Sequence, residues 1–97
     1  MISIGHTQVP QKSLKIVNQL GLHARAASKF VAATKGFTSQ VQLSFRDQKV
    51  DGKSIMSVML LAAPVGSELL LEVHGDDEEA AFEALAAVIE SGFGEGQ

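Results

Sequence analysis

Ninety-seven residues suit one domain of ordinary size and leave no room for a second. A composition 45% hydrophobic and 20% charged is that of a globular chain, and the absence of cysteine excludes disulfides, thiol chemistry and Cys-based zinc sites. The net charge of −3 conceals a split: residues 1–48 carry six basic side chains against Asp47 alone, and the remainder carries Lys49 and Lys53 against ten carboxylates.

Residues 1–11 read as a loose N-terminal extension closed by Pro10, with neither the basic start nor the apolar core of a signal peptide. No apolar run approaches the roughly 20 residues of a membrane-spanning helix. The expectation is a soluble, cytoplasmic protein without membrane insertion. From Lys12 to Val17, Leu14 and Ile16 alternate with polar residues, the pattern of a half-buried strand. Asn18 to Gly21 is turn chemistry. From Ala24 to Lys35, Ala27, Phe30, Val31 and Thr34 recur at the spacing of one helical face, and Gly36 sits where that helix would end.

Gln40 to Phe45 alternates, with Val41, Leu43 and Phe45 on one side. Arg46-Asp47-Gln48 suggests a hairpin turn into a short strand, Lys49 to Asp51. Ser54 to Leu61 is apolar and methionine-rich, more helix than strand, and Pro64 and Gly66 end it. Glu68 to Val73 alternates again, with Leu69, Leu71 and Val73 inward. Asp76-Asp77-Glu78-Glu79 then places carboxylates in the first turn of a last helix, where they complement its dipole. That helix would bury Ala81, Phe82, Leu85, Val88 and Ile89 and stop near Ser91-Gly92. The order βαββαβα implies an α+β fold of split-βαβ type: a two-layer, open-faced sandwich with a four-stranded antiparallel sheet covered on one face by helices.

The segment Asn18 to Ala27 puts a histidine, His23, at the mouth of the first helix, with Arg25 two residues later. Unpaired amides and the positive end of the helix dipole make such a position an anion site. A neutral imidazole there can attack phosphorus, and the same positive field would stabilise the phosphate once attached. Backbone amides of Ala24, Arg25 and Ala26 could donate to it, and the Arg25 guanidinium could bridge two of its oxygens. The competing reading is a surface histidine at a helix start. Arg25, Lys29 and Lys35 lie on or beside this helix, either steering acidic partners or forming a solvated face. There is no Gly-x-x-x-x-Gly-Lys loop, and the three histidines lack metal-ligand spacing, so neither nucleotide, metal nor other cofactor is expected. His6 and His74 read as surface residues. With no tyrosine, no tryptophan and no dense basic stripe, nucleic acid is a poor candidate partner.

Leu20-Gly21-Leu22-His23-Ala24-Arg25 resembles the phosphorylation motif of the HPr family, the histidine-containing phosphocarriers of the sugar phosphotransferase system. Lys35-Gly36-Phe37-Thr38-Ser39 and Gly52-Lys53-Ser54-Ile55-Met56-Ser57-Val58-Met59 look like further HPr segments in register. The resemblance runs from about Lys12 to Phe93, which implies an HPr-like domain over 12–93 and a tail over 94–97. It implies that His23 accepts phosphate on its δ nitrogen from phosphorylated Enzyme I, itself charged by phosphoenolpyruvate, and passes it to IIA-type domains with Arg25 assisting. Such a carrier is a stoichiometric participant, not an enzyme, and it works as a monomer whose active face meets successive partners. Partner contacts are implied at Ser28, Lys35, Ile55, Met56 and Met59. Two positions depart from the family pattern: Ala26 stands where His-x-Arg is normally followed by proline, and Ala32 where several members are basic.

Ser54 precedes an apolar helical run, where a serine caps the helix by accepting an amide proton. The resemblance adds a second reading, inhibitory phosphorylation of Ser54 by an HPr kinase/phosphorylase, and the two are compatible. At this spacing some methionine is expected to face the core, and Met56 is expected to be exposed; methionine suits a surface that accepts several partners. Alternatives to sugar transport are a carrier in a nitrogen-related regulatory branch, a module recognised through phospho-Ser54 with His23 idle, and a small-molecule-binding domain with no phosphate.

Overall fold

The alternation in Gln40–Phe45 decides the architecture: Val41 and Leu43 are buried, while Gln40 and Gln42 face solvent. The computed structural model describes residues 10–95. Its strands β1 (Gln11–Lys15), β2 (Gln40–Phe45), β3 (Gln48–Asp51) and β4 (Glu68–His74) form one antiparallel sheet in the order β1-β4-β2-β3. Helices α1 (Ala24–Thr34), α2 (Ile55–Leu60) and α3 (Glu78–Glu90) complete the βαββαβα order. Leu14, Val41, Leu43, Leu69, Leu71 and Val73 line one face of the sheet and join Phe30, Val31, Leu85 and Ile89 in a single core. The other face is polar: Gln11, Glu72, Gln42 and Asp51 lie in one row across the four strands, with Lys49 paired to Glu72 at 3.0 Å. The two-layer α+β sandwich read from the sequence is the fold.

Several boundaries differ from the sequence reading, each for a local reason. The first strand begins at Gln11 and ends at Lys15, not at Lys12 and Val17. Gln11 is therefore a sheet residue and not part of a loose extension, and Pro10 O, just before it, accepts from Val73 N–H at 3.1 Å. Ile16 leaves the ladder to exchange bonds with Ser67 and Gly66. The hairpin turn holds two residues, not three, because Gln48 pairs with Phe45. Arg46 takes a left-handed φ of 58° there and lays its guanidinium 4.9 Å from the centre of the Phe45 ring.

Helix α1 ends at Thr34, whose hydroxyl donates to Val31 O at 2.6 Å, and Lys35 caps it. On α3 the buried stripe is Ala81, Leu85, Ala86 and Ile89; Phe82 and Val88 flank it half-buried. Asp77 precedes α3 without capping it. Its carboxylate instead accepts from the amides of Thr38 and Ser39, both at 2.9 Å, and from the Ser39 hydroxyl. Those bonds hold the Asp77 carboxyl down at about 2, below the ordinary 3.8. His74 is exposed as expected, 3.7 Å from Glu78; His6 lies outside the described residues. None of the helices among the described residues is long and apolar enough to cross a membrane, and no metal-holding cluster of His, Cys, Asp and Glu occurs there.

Candidate functional site

The loop from Asn18 to Leu22 sets the entry into α1. Gly21 takes a left-handed φ of 71°, its amide bonds back to Asn18 O at 3.1 Å, and Leu22 N–H reaches Ala63 O at 2.9 Å. Leu22 is buried and anchors the turn, so the next residue arrives at the start of the helix with extended backbone. That residue is His23, the N-cap of α1. Its Nδ1 accepts from Arg25 N–H at 3.2 Å, and its carbonyl takes the first helical bond, from Ala27 N–H at 2.8 Å. A ring nitrogen that accepts an amide proton carries a lone pair. Nδ1 is therefore the unprotonated nitrogen of the neutral ring, and it sits at the positive, N-terminal end of α1.

The other ring nitrogen has a partner that the sequence reading missed. Nε2 lies 2.8 Å from Glu95 Oε2, and Asn18 Nδ2 donates to Glu95 Oε1 at 2.9 Å. Asn18 is fully buried and also donates to Gly21 O at 2.8 Å, so one amide ties the loop to the carboxylate. The Asn18 hydrogen bond first, and then His23 and Lys29, hold the Glu95 carboxyl below its ordinary 4.5 against the opposing effect of desolvation. Of the residues read as a tail, Gly94 and Glu95 are described, and Glu95 closes over the site. Its route there begins where α3 ends, with Gly92 N–H on Ile89 O and Phe93 N–H on Val88 O, the double bond pattern of a glycine-terminated helix. Phe93 is buried with a φ of 58°, and the chain turns back beneath it. Ser91-Gly92 signalled the helix stop, but no local pattern gave the direction taken afterwards.

Of the three amides expected to face an anion, those of Ala24 and Arg25 belong to exposed residues; Ala26 is fully buried, its methyl in the core, so it presents no open donor. Arg25 lines a depression of about 480 Å³ with Gln19, Leu20, Lys29, Gly94 and Glu95, so the two basic residues of the first turns and the carboxylate share one concavity. Ser28 and Lys35 are both exposed. Lys35 caps the far end of α1, roughly 18 Å along the helix from His23, so the structure does not bring it into the site.

Ser54 is the N-cap of α2, its Oγ accepting from Ser57 N–H at 3.2 Å. Lys53 beside it reaches Phe37 O at 2.8 Å and ties this loop to the segment after α1. Helix α2 sends only Val58 fully into the core. Met56 is 75% exposed and Ile55 and Met59 each 40%, so all three face solvent; Val58, and not a methionine, fills the core position. Leu60, at 69%, and Leu20, at 72%, are exposed apolar residues that the sequence reading did not single out. Helix α2 packs against α1.

A sequence profile described as "PTS HPr component phosphorylation site" matches residues 10–91. The chain belongs to the HPr family. It is 49% identical over 87 residues to the phosphocarrier protein HPr of Cupriavidus necator, covering 90% of this chain and 98% of that one. The solved HPr-C-His structure from Thermoanaerobacter tengcongensis superposes with a TM-score of 0.83 at 43% identity, over 89% of this chain and 97% of the other. The HPr structure from Bacillus anthracis gives 0.79 at 36%, over 84% and 96%. The protein is thus a phosphocarrier of the phosphotransferase system, a carrier and not an enzyme.

Proposed function

We propose that His23 is the residue that carries the phosphoryl group, bonded through Nδ1. The observation that supports this most directly is the Nδ1 lone pair turned toward the N-terminus of α1. As phosphorus bonds to Nδ1, the Arg25 amide loses its acceptor and becomes a donor to a phosphate oxygen; the exposed Ala24 amide and the Arg25 guanidinium complete the set. The donor is phosphorylated Enzyme I and the acceptors are IIA-type domains, in the cytoplasm, with the carrier acting as a monomer. Partners dock on the exposed apolar residues Ile55, Met56 and Met59 of α2, with the exposed Ser28 and Lys35 of α1 as further contacts. Leu20 and Leu60 are further exposed apolar residues open to such a partner. Loss of the family proline at Ala26 leaves the acceptor geometry in place, since the His23 cap and the first helical bond both form.

Ser54 is the regulatory position of this reading. A phosphate there would take over the cap from Oγ and put a dianion beside the apolar docking face, lowering transfer to or from acidic partners. The test uses purified protein, phosphoenolpyruvate and Enzyme I, followed by intact mass and acid stability. One acid-labile phosphoryl group, absent in His23→Ala, is the expected result. No label under these conditions refutes the reading and leaves recognition through phospho-Ser54 as the function.

A further inference from the structure

His23 is held by a second group that the phosphocarrier reading leaves without a role. Glu95 arrives from 72 residues away in sequence to face Nε2, and its side chain is only 13% exposed. A surface carboxylate that merely happened to meet a histidine would keep its rotamer freedom and contribute little. Here the second carboxylate oxygen is taken by the amide of Asn18, whose other donated bond goes to Gly21 in the loop that delivers His23. The buried amide, the carboxylate and the imidazole form one chain of hydrogen bonds, and the same amide fixes both the ring's backbone approach and its partner.

We propose that Glu95, oriented by Asn18, is a positioning residue for phosphoryl transfer at His23: it keeps the ring proton on Nε2 and the ring plane fixed, so that Nδ1 presents its lone pair to the incoming phosphorus. The inference rests on the phosphocarrier reading above. During uptake the Nδ1 pair forms the new bond to phosphorus while the bond from phosphorus to the donor breaks, and that electron pair leaves with the donor. No proton is transferred. The ring, still protonated at Nε2, becomes positively charged, and Glu95 is the anion that faces this charge at 2.8 Å. Onward transfer reverses the step, the electron pair returning to Nδ1. Arg25 and Lys29 of α1 line the same concavity, so Glu95 supplies the local negative charge among cations that would otherwise oppose a cationic ring.

The test compares the full-length protein with Glu95→Ala and Glu95→Gln. The glutamine oxygen still accepts a hydrogen bond from Nε2–H but carries no charge. Proton–nitrogen NMR on histidine-labelled protein reads the Nε2 proton, and the initial rate of labelling by phosphoenolpyruvate and limiting Enzyme I reads transfer. Glu95→Ala should lose the slowly exchanging Nε2 proton and fall on the order of 100-fold in rate, the scale of a reacting group misplaced by about 1 Å. Glu95→Gln should keep the proton and recover part of the rate. Glu95→Ala labelled at the parental rate, or slowed with the Nε2 proton still protected, overturns the inference while the carrier reading stands. A parent protein that takes no phosphoryl group overturns both.

Discussion

Alanine substitutions at four glycines separate backbone strain from steric crowding, and one of the four, Gly21, lies in the loop that delivers His23. Gly21 has both: its φ is +71°, and a Cβ would lie 2.8 Å from Ala63 O and 3.0 Å from Pro64 Cα. Gly92 has the left-handed φ alone, at +72°, since its Cβ would meet Asn18 Cβ at an ordinary 3.4 Å. Gly52 has crowding alone, with Val41 Cγ1 at 2.6 Å, and Gly36 has neither. A left-handed conformation costs a residue with a Cβ about 1–2 kcal/mol, and overpacking costs about 1–3 kcal/mol. At Gly21 the obstruction is backbone, and moving it also endangers the Leu22–Ala63 bond, with a net contribution of about 1 kcal/mol.

Gly92→Ala should therefore cost about 1–2 kcal/mol and Gly52→Ala about 1–3 kcal/mol. Gly36→Ala should stay within about 0.5 kcal/mol of the parent. Gly21→Ala combines the costs at about 3–6 kcal/mol. At about 4–8 °C per kcal/mol for a domain of this size, its melting temperature should fall by at least about 12 °C. Urea and thermal unfolding followed by circular dichroism give all four values. A Gly21→Ala protein no less stable than Gly92→Ala would refute the argument that Ala63 and Pro64 pin the loop.

Asp77 gives a pH dependence with a fixed sign. Its carboxyl titrates at about 2 when folded against an ordinary 3.8, so its contribution is complete above that ordinary value and disappears as pH falls through the folded one. The stability gap between the parent and Asp77→Asn should be constant near neutral pH and narrow from about pH 4 to pH 2; a gap that widens on acidification would reverse the assignment. Ser54→Ala should cost about 1 kcal/mol by loss of the cap, whereas Ser54→Asp should keep it and still slow phosphoryl uptake. Equal stability of the alanine and aspartate variants would show that the cap contributes nothing. Met56→Lys should change stability by no more than about 0.5 kcal/mol, yet weaken the interaction with Enzyme I roughly tenfold. An unchanged KM for the carrier in Enzyme I assays would remove Met56 from the docking face.

The sheet and both long helices were legible in the sequence because their signals are local. Leu69, Leu71 and Val73 keep a period of two, and Phe30, Val31 and Thr34 keep the helical spacing; all six are buried. His23 and Ser54 were legible as helix starts, since capping chemistry is written in a few adjacent residues. Asn18 read only as turn chemistry, and its burial follows from a tertiary contact with a carboxylate 77 positions later. Glu95 had no signal of its own: it reaches His23 through the left-handed residues Gly92 and Phe93, a change of chain direction that hydrophobic periodicity does not encode. Asp77 read as a charge beside the dipole of α3, but three donors from Thr38 and Ser39 claim it instead.

The site of the phosphoryl group on the ring tests the account most directly. Protein labelled with nitrogen-15 at histidine and phosphorylated by phosphoenolpyruvate and Enzyme I should show phosphorus coupled to Nδ1 of His23, with the proton retained on Nε2. Phosphorus coupled to Nε2, the nitrogen that Glu95 occupies, or found on another residue, would contradict it.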